Sequence, residues 1–82
     1  MNNKVLVEII VPELEKSFDI FLPINKKVGN IIILLNKAIN EIDKSHNKVN
    51  NSLYNRETSA KYDIDVLIYN TDIRNGTSLI LI

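Results

Sequence analysis

The sequence predicts a two-layer α+β fold, with one long helix packed on one face of a mixed sheet of four to five strands. Near the start, two runs of residues alternate at period two. A central stretch switches to the helical period. A last alternating run follows an Asn-Gly turn at the far end. Hairpin, helix, short strands and final strand in that order give one sheet with a single helix to cover it.

In the first run, residues 4–11, Val5, Val7, Ile9 and Val11 share a face, and Lys4, Leu6, Glu8 and Ile10 share the other. β-Branched residues at period two mark a strand. Pro12 ends it, because proline cannot donate to the ladder. Residues 12–16 read as a polar turn. The strand at 17–22 then places Phe18, Ile20 and Leu22 opposite Asp19 and Phe21, and Pro23 closes it. Two such runs joined by a short turn make a hairpin.

Over residues 27–44, Val28, Ile31, Ile32, Leu35, Ile39 and Ile42 follow helical spacing and form one apolar stripe. Asn36, Lys37, Asn40, Glu41 and Lys44 cover the opposite side; Asn25 is a candidate cap, and a start near Lys27 is the equal alternative. Ile33 and Leu34 point away from the stripe. They read either as a small contact site or as residues packed under segment 45–52 or 63–72. Residues 45–52 are polar and aperiodic, a loop. Leu53-Tyr54-Asn55 reads as a short strand, residues 56–59 as a turn, and Ala60-Lys61-Tyr62 as a returning strand. A short helical turn is expected at 68–71. Asn75-Gly76 is a strong turn signal because both residues tolerate positive φ. The final strand, 77–82, puts Leu79 and Leu81 on one face and Ile80 and Ile82 on the other. It is expected beside the first strand and parallel to it, with the helix in the crossover.

Composition narrows the classes of function. Eighty-two residues suit a single domain, 1–82, whose core must come from apolar packing, since cysteine is absent. Hydrophobic residues make up 45% of the chain, enough for such a core. Ten basic residues balance ten acidic ones, and no basic cluster exceeds Lys26-Lys27, which argues against nucleic acid as a partner. The longest apolar run, from Ile31 to Leu35, is five residues, far short of the ~20 that span a bilayer. No signal-peptide run opens the chain, so a cytoplasmic location and no stable membrane insertion are expected. The Ile, Asn and Lys bias fits an AT-rich bacterial genome.

Catalytic chemistry has little material, and no cofactor, metal site or enzymatic activity is expected. His46, the single histidine, sits among Ser45, Asn47 and Lys48 and reads as exposed and inert. Asp63 and Asp65 flank Ile64 and read as structural. Gly29 and Gly76 stand alone, so no phosphate loop is formed. Arg56 and Glu57 read as an exposed turn ion pair, and Tyr62 and Tyr69 as core-edge aromatics with wet hydroxyls.

The order and spacing from Lys4 to Ile82 resemble ubiquitin and its β-grasp relatives. The resemblance is most specific in the last third: Leu53-Tyr54, Lys61-Tyr62, Ile68, then Ile73-Arg74-Asn75-Gly76-Thr77-Ser78-Leu79-Ile80-Leu81. Val28, Ile31 and Leu35 fall where such domains keep helix core residues. Within the superfamily the chain is similar to the YukD/EsaB family, small bacterial proteins encoded with WXG100-type (type VII) secretion systems. That resemblance implies a non-enzymatic accessory or regulatory role in protein export. Conjugating and sulfur-carrying relatives end in a flexible Gly-Gly tail, whereas the sequence here ends at Leu81-Ile82, so conjugation is not expected.

The surplus of apolar residues on the sheet's other face then points to binding. With Val5, Val7, Phe18, Ile20, Leu22, Leu79 and Leu81 toward the helix, the residues Leu6, Ile10, Phe21, Tyr54, Ile80 and Ile82 face outward. Large contiguous apolar patches are uncommon on monomers. These residues are the expected docking surface for a protein partner, such as a secretion-system component. The alternatives are a module that self-associates through the same face, and a carrier activated at its C-terminus.

Overall fold

The computed structural model describes residues 3–45 and 49–82. His46 lies outside them. The sheet has four strands in the order β2-β1-β4-β3. β1 (Lys4–Val11) and β2 (Lys16–Pro23) form the antiparallel hairpin. Pro12 starts a single 3-10 turn, Pro12–Leu14, and Glu15 follows in the left-handed region at φ 53° to reverse the chain. β4 (Ser78–Leu81) lies parallel to β1, with Ile9 level with Leu79, and β3 (Leu53–Asn55) pairs antiparallel with β4.

The helix α1 (Val28–Ile42) crosses one face of this sheet. Its stripe of Val28, Ile31, Ile32, Leu35 and Ile39 joins Val7, Ile9, Val11, Leu22, Leu53, Leu79 and Leu81 in one buried core. Ile68 and Ile73 close it from the segment before β4. Fully burying each such side chain contributes about 1.5–3 kcal/mol. Ile42 departs from the expected stripe and is 64% exposed. Its angle fits, but it is the last residue of the helix, next to Asp43, which ends α1.

Both ends of α1 are held by tertiary contacts. The expected cap, Asn25, is not used: Lys27 precedes the helix and makes no side-chain cap. Instead the Val28 and Gly29 amides donate to the carbonyls of Val66 and Ile64, each at 2.9 Å. A Cβ on Gly29 would lie 3.2 Å from that Ile64 oxygen, so glycine suits this close approach. At the other end Asp43 accepts from Lys16 Nζ at 2.6 Å and from the Ser45 hydroxyl and amide. The Lys16 hydrogen bond, followed by those from Ser45, holds the Asp43 carboxyl well below the usual carboxylate range.

Several polar residues carry more of the fold than their type announces. Asn36, expected on the solvent side of the helix, donates to the Asn50 carbonyl at 2.7 Å and accepts from the Asn50 amide at 3.1 Å. Buried Asn50 in turn donates to Glu13 Oε1 at 2.6 Å. Helix, loop and hairpin turn are tied together there. The Asn55 side chain accepts from the Glu57 and Thr58 amides and donates to the Tyr62 hydroxyl at 3.0 Å.

The return expected at Ala60-Lys61-Tyr62 amounts to a single bridge, Tyr54 with Lys61, rather than a strand. Ser59 at φ 62° tightens the turn, and the Tyr62 amide still donates to the Leu53 carbonyl of β3 at 2.9 Å while its hydroxyl bonds Asp72. The short helical turn is observed as a 3-10 turn, Ile68–Asn70.

Candidate functional site on the open sheet face

Alternation along the strands decides what the face away from the helix presents. The Glu8 amide donates to the Thr77 carbonyl, and the Leu6 amide to Asn75 Oδ1, so even-numbered residues of β1 bond toward β4. Their side chains stand on the open face. Reading across the sheet by register gives three successive rows. Ile10, Ile80 and Tyr54 are level with one another, with Ser17 at the β2 end. Asp19, Glu8 and Ser78 form the next row, and Phe21 and Leu6 the one after.

All six expected binding residues therefore lie on or beside this face, yet they do not form one continuous patch. Ile10, Tyr54 and Ile80 are half-buried neighbours, and Ile82, 50% exposed, lies two residues beyond Ile80. Phe21 at 63% and Leu6 at 39% exposure form a second cluster. The Glu8 row separates them, because Leu6 and Ile10 are four residues apart on one strand, about 13 Å. Sequence reasoning missed this polar row. The signal was in the alternation itself, since Glu8 falls between Leu6 and Ile10 on the same face.

Ile82 is held at the sheet edge rather than free. Its amide donates to the Ser52 carbonyl at 3.0 Å, and its carbonyl accepts from the Ser52 amide at 2.8 Å. Ile33, at 66% exposure, and Leu34 are open to solvent, so neither packs beneath a loop.

Elsewhere the candidate chemical residues take structural parts. Asp63 Oδ1 accepts from the Asp65 amide at 2.9 Å and builds a local turn. Tyr62 is not wet at its hydroxyl, which donates to Asp72 Oδ1 at 2.6 Å while accepting from Asn55. Burial, then the Asp72 bond, pushes its pKa up to about 12. Tyr69 is exposed rather than a core-edge residue. Among the described residues, Arg56 and Glu57 form no ion pair. Nor does any group of three or more His, Cys, Asp or Glu among them sit as a metal site would require. No helix of the described residues is long and apolar enough to cross a membrane.

By sequence, the chain matches no protein-family model and no curated protein. By structure it resembles a chain of the MycP5-free ESX-5 inner membrane complex in State II, with TM-score 0.79 and 16% identity. The alignment covers 98% of the present chain and 21% of that one, so the protein spans about a fifth of its length. It also resembles the ubiquitin-like domain of an Arabidopsis thaliana protein solved by solution NMR, with TM-score 0.67 and 14% identity, over 99% of this chain and 78% of that one. A four-stranded mixed sheet with one helix across it, shared with that domain, defines an α+β ubiquitin-like fold.

Proposed function

We propose that this chain is a non-catalytic ubiquitin-like module that binds another protein as an accessory or regulatory component of a bacterial type VII secretion system. It acts in the cytoplasm as one domain, 1–82, in the manner of the YukD/EsaB family. The reading rests above all on the open sheet face, where Phe21 and Ile82 expose half or more of their surface beside Leu6, Ile10, Tyr54 and Ile80. The likeness to a chain of the ESX-5 inner membrane complex supports a secretion-complex setting. Exposed apolar side chains clustered on one face of a small domain favour docking of a partner.

Affinity purification of the tagged chain from its own bacterium tests the proposal. The expected result is enrichment of a component of the type VII secretion machinery. Recovery of the chain without any such component, at an expression level matching the native one, would count against it.

A further inference from the structure

Glu8 and Asp19 face each other directly across β1 and β2. The Glu8 amide is committed to Thr77 on the β4 side, so the two residues form a non-hydrogen-bonded pair. In that register opposed side chains lie closest. Two carboxylates there oppose folding, as like charges placed directly across a sheet do. Asp19 is exposed and, among the described residues, forms no ion pair that offsets this repulsion. Glu8 is also fixed in place, since Ser78 Oγ donates to its Oε1 at 2.7 Å, leaving the second oxygen for another donor.

A depression of about 560 Å³ opens at this pair. Leu6 and Phe21 form one wall and the two carboxylates another. Lys4 also lines the depression, at its far end beyond Leu6 and about 13 Å along the strand from Glu8, and among the described residues it is ion-paired to neither carboxylate. An apolar wall next to a paired anionic one matches a side chain with an aliphatic stem and a cationic head. Building on the docking role proposed above, we infer that this depression receives an arginine or lysine side chain of the partner protein. The stem lies on Leu6 and Phe21, and the head enters between Glu8 and Asp19. A cation there relieves the cross-strand repulsion, so the strain in the free protein becomes selectivity in the complex. Two apolar clusters on either side then bracket the basic residue with hydrophobic contacts.

Titration of the isotope-labelled chain with an acetylated, amidated Leu-Arg-Leu peptide, followed by NMR, tests this directly. The Leu-Gln-Leu peptide serves as the control. The arginine peptide is expected to move the amides of Leu6, Glu8, Asp19 and Phe21 saturably, and to bind about tenfold more tightly than the control, the size of one charge-assisted hydrogen bond. The double variant Glu8→Gln, Asp19→Asn should erase that difference. Equal binding of the two peptides, no shift from either, or shifts centred elsewhere would overturn the inference. So would the same shifts produced by calcium chloride alone, or by raising the protein concentration alone, which would assign the pair to a metal ion or a second copy. In the capture experiment, wild-type recovery of the secretion component by the Glu8→Gln, Asp19→Asn variant overturns the basic-residue inference alone and leaves the docking role standing.

Discussion

The Ser78 hydroxyl donates to the Glu8 carboxylate at 2.7 Å across the parallel pairing of β1 and β4. This bond anchors the polar row that divides the open face into two apolar clusters. It also holds Glu8 opposite Asp19, in a pairing that costs the free protein stability. Asp19→Asn should therefore stabilise the fold by about 0.2–1 kcal/mol. Urea unfolding checks it through a higher midpoint at unchanged slope. Removing a carboxylate from a neutral chain usually gives little, so a clear gain identifies the repulsion.

The turn into β4 depends on Gly76, whose φ is +90°, with open space where a Cβ would sit. Any penalty for a side chain there is conformational. Gly76→Ala should cost about 1 kcal/mol or somewhat more. The Gly76 amide bonds the Leu6 carbonyl at 2.8 Å while Asn75 accepts from the Leu6 amide at 2.7 Å. Loss of that clamp would show as faster hydrogen exchange at Leu6 before any change at Ile9.

Asn36 supports buried Asn50 at both its amide and its carbonyl. Asn36→Ala leaves those groups without their partner, which costs about 1–3 kcal/mol. The measurement is thermal or urea unfolding, with Lys37→Ala, an exposed position on the same helix, as the comparison. A loss below about 0.5 kcal/mol, the usual range for a surface change, would mean water replaces the amide.

Tyr62 gives a pH signature. Its pKa is raised in the folded state from 10.0 to about 12, by burial first and then by the Asp72 hydrogen bond. The folded state thus holds the phenolic proton more tightly than the unfolded chain. This contribution to stability is complete below about pH 10 and is lost as pH rises through about 12. Tyrosinate absorbance should show one of the three tyrosines titrating late. Tyr62→Phe should abolish that late step and flatten the alkaline loss of stability.

Much of the fold was legible because it follows from repeating patterns. Period-two alternation in β1, the stripe from Val28 to Ile39 and the Asn75-Gly76 turn each encode local structure directly. The parallel pairing of β1 with β4 followed once a helix was placed between them. What escaped depended on contacts distant in sequence. Asn36 looks like any polar helix residue until Asn50, fourteen positions on, closes against it. Tyr62 looked like an edge strand residue until Asp72 drew its hydroxyl away. Ile42 fits the stripe by angle but is the last residue of the helix, where its side chain is exposed. The six expected binding residues were placed on the open face by parity. Their division into two clusters required the register across strands, which sets Glu8 beside Ser78 and Asp19.

The most direct test of the proposed docking role pairs Tyr54→Asp with Ile80→Thr, two half-buried neighbours on the open face that are level across β3 and β4. The tagged double variant and the wild type would be compared in quantitative capture of the type VII secretion component, with circular dichroism on both. The account predicts an unchanged dichroism spectrum and loss of the captured component by at least about tenfold, as when a contact worth about 1.4 kcal/mol or more is removed. Capture at the wild-type level by the folded variant would contradict it.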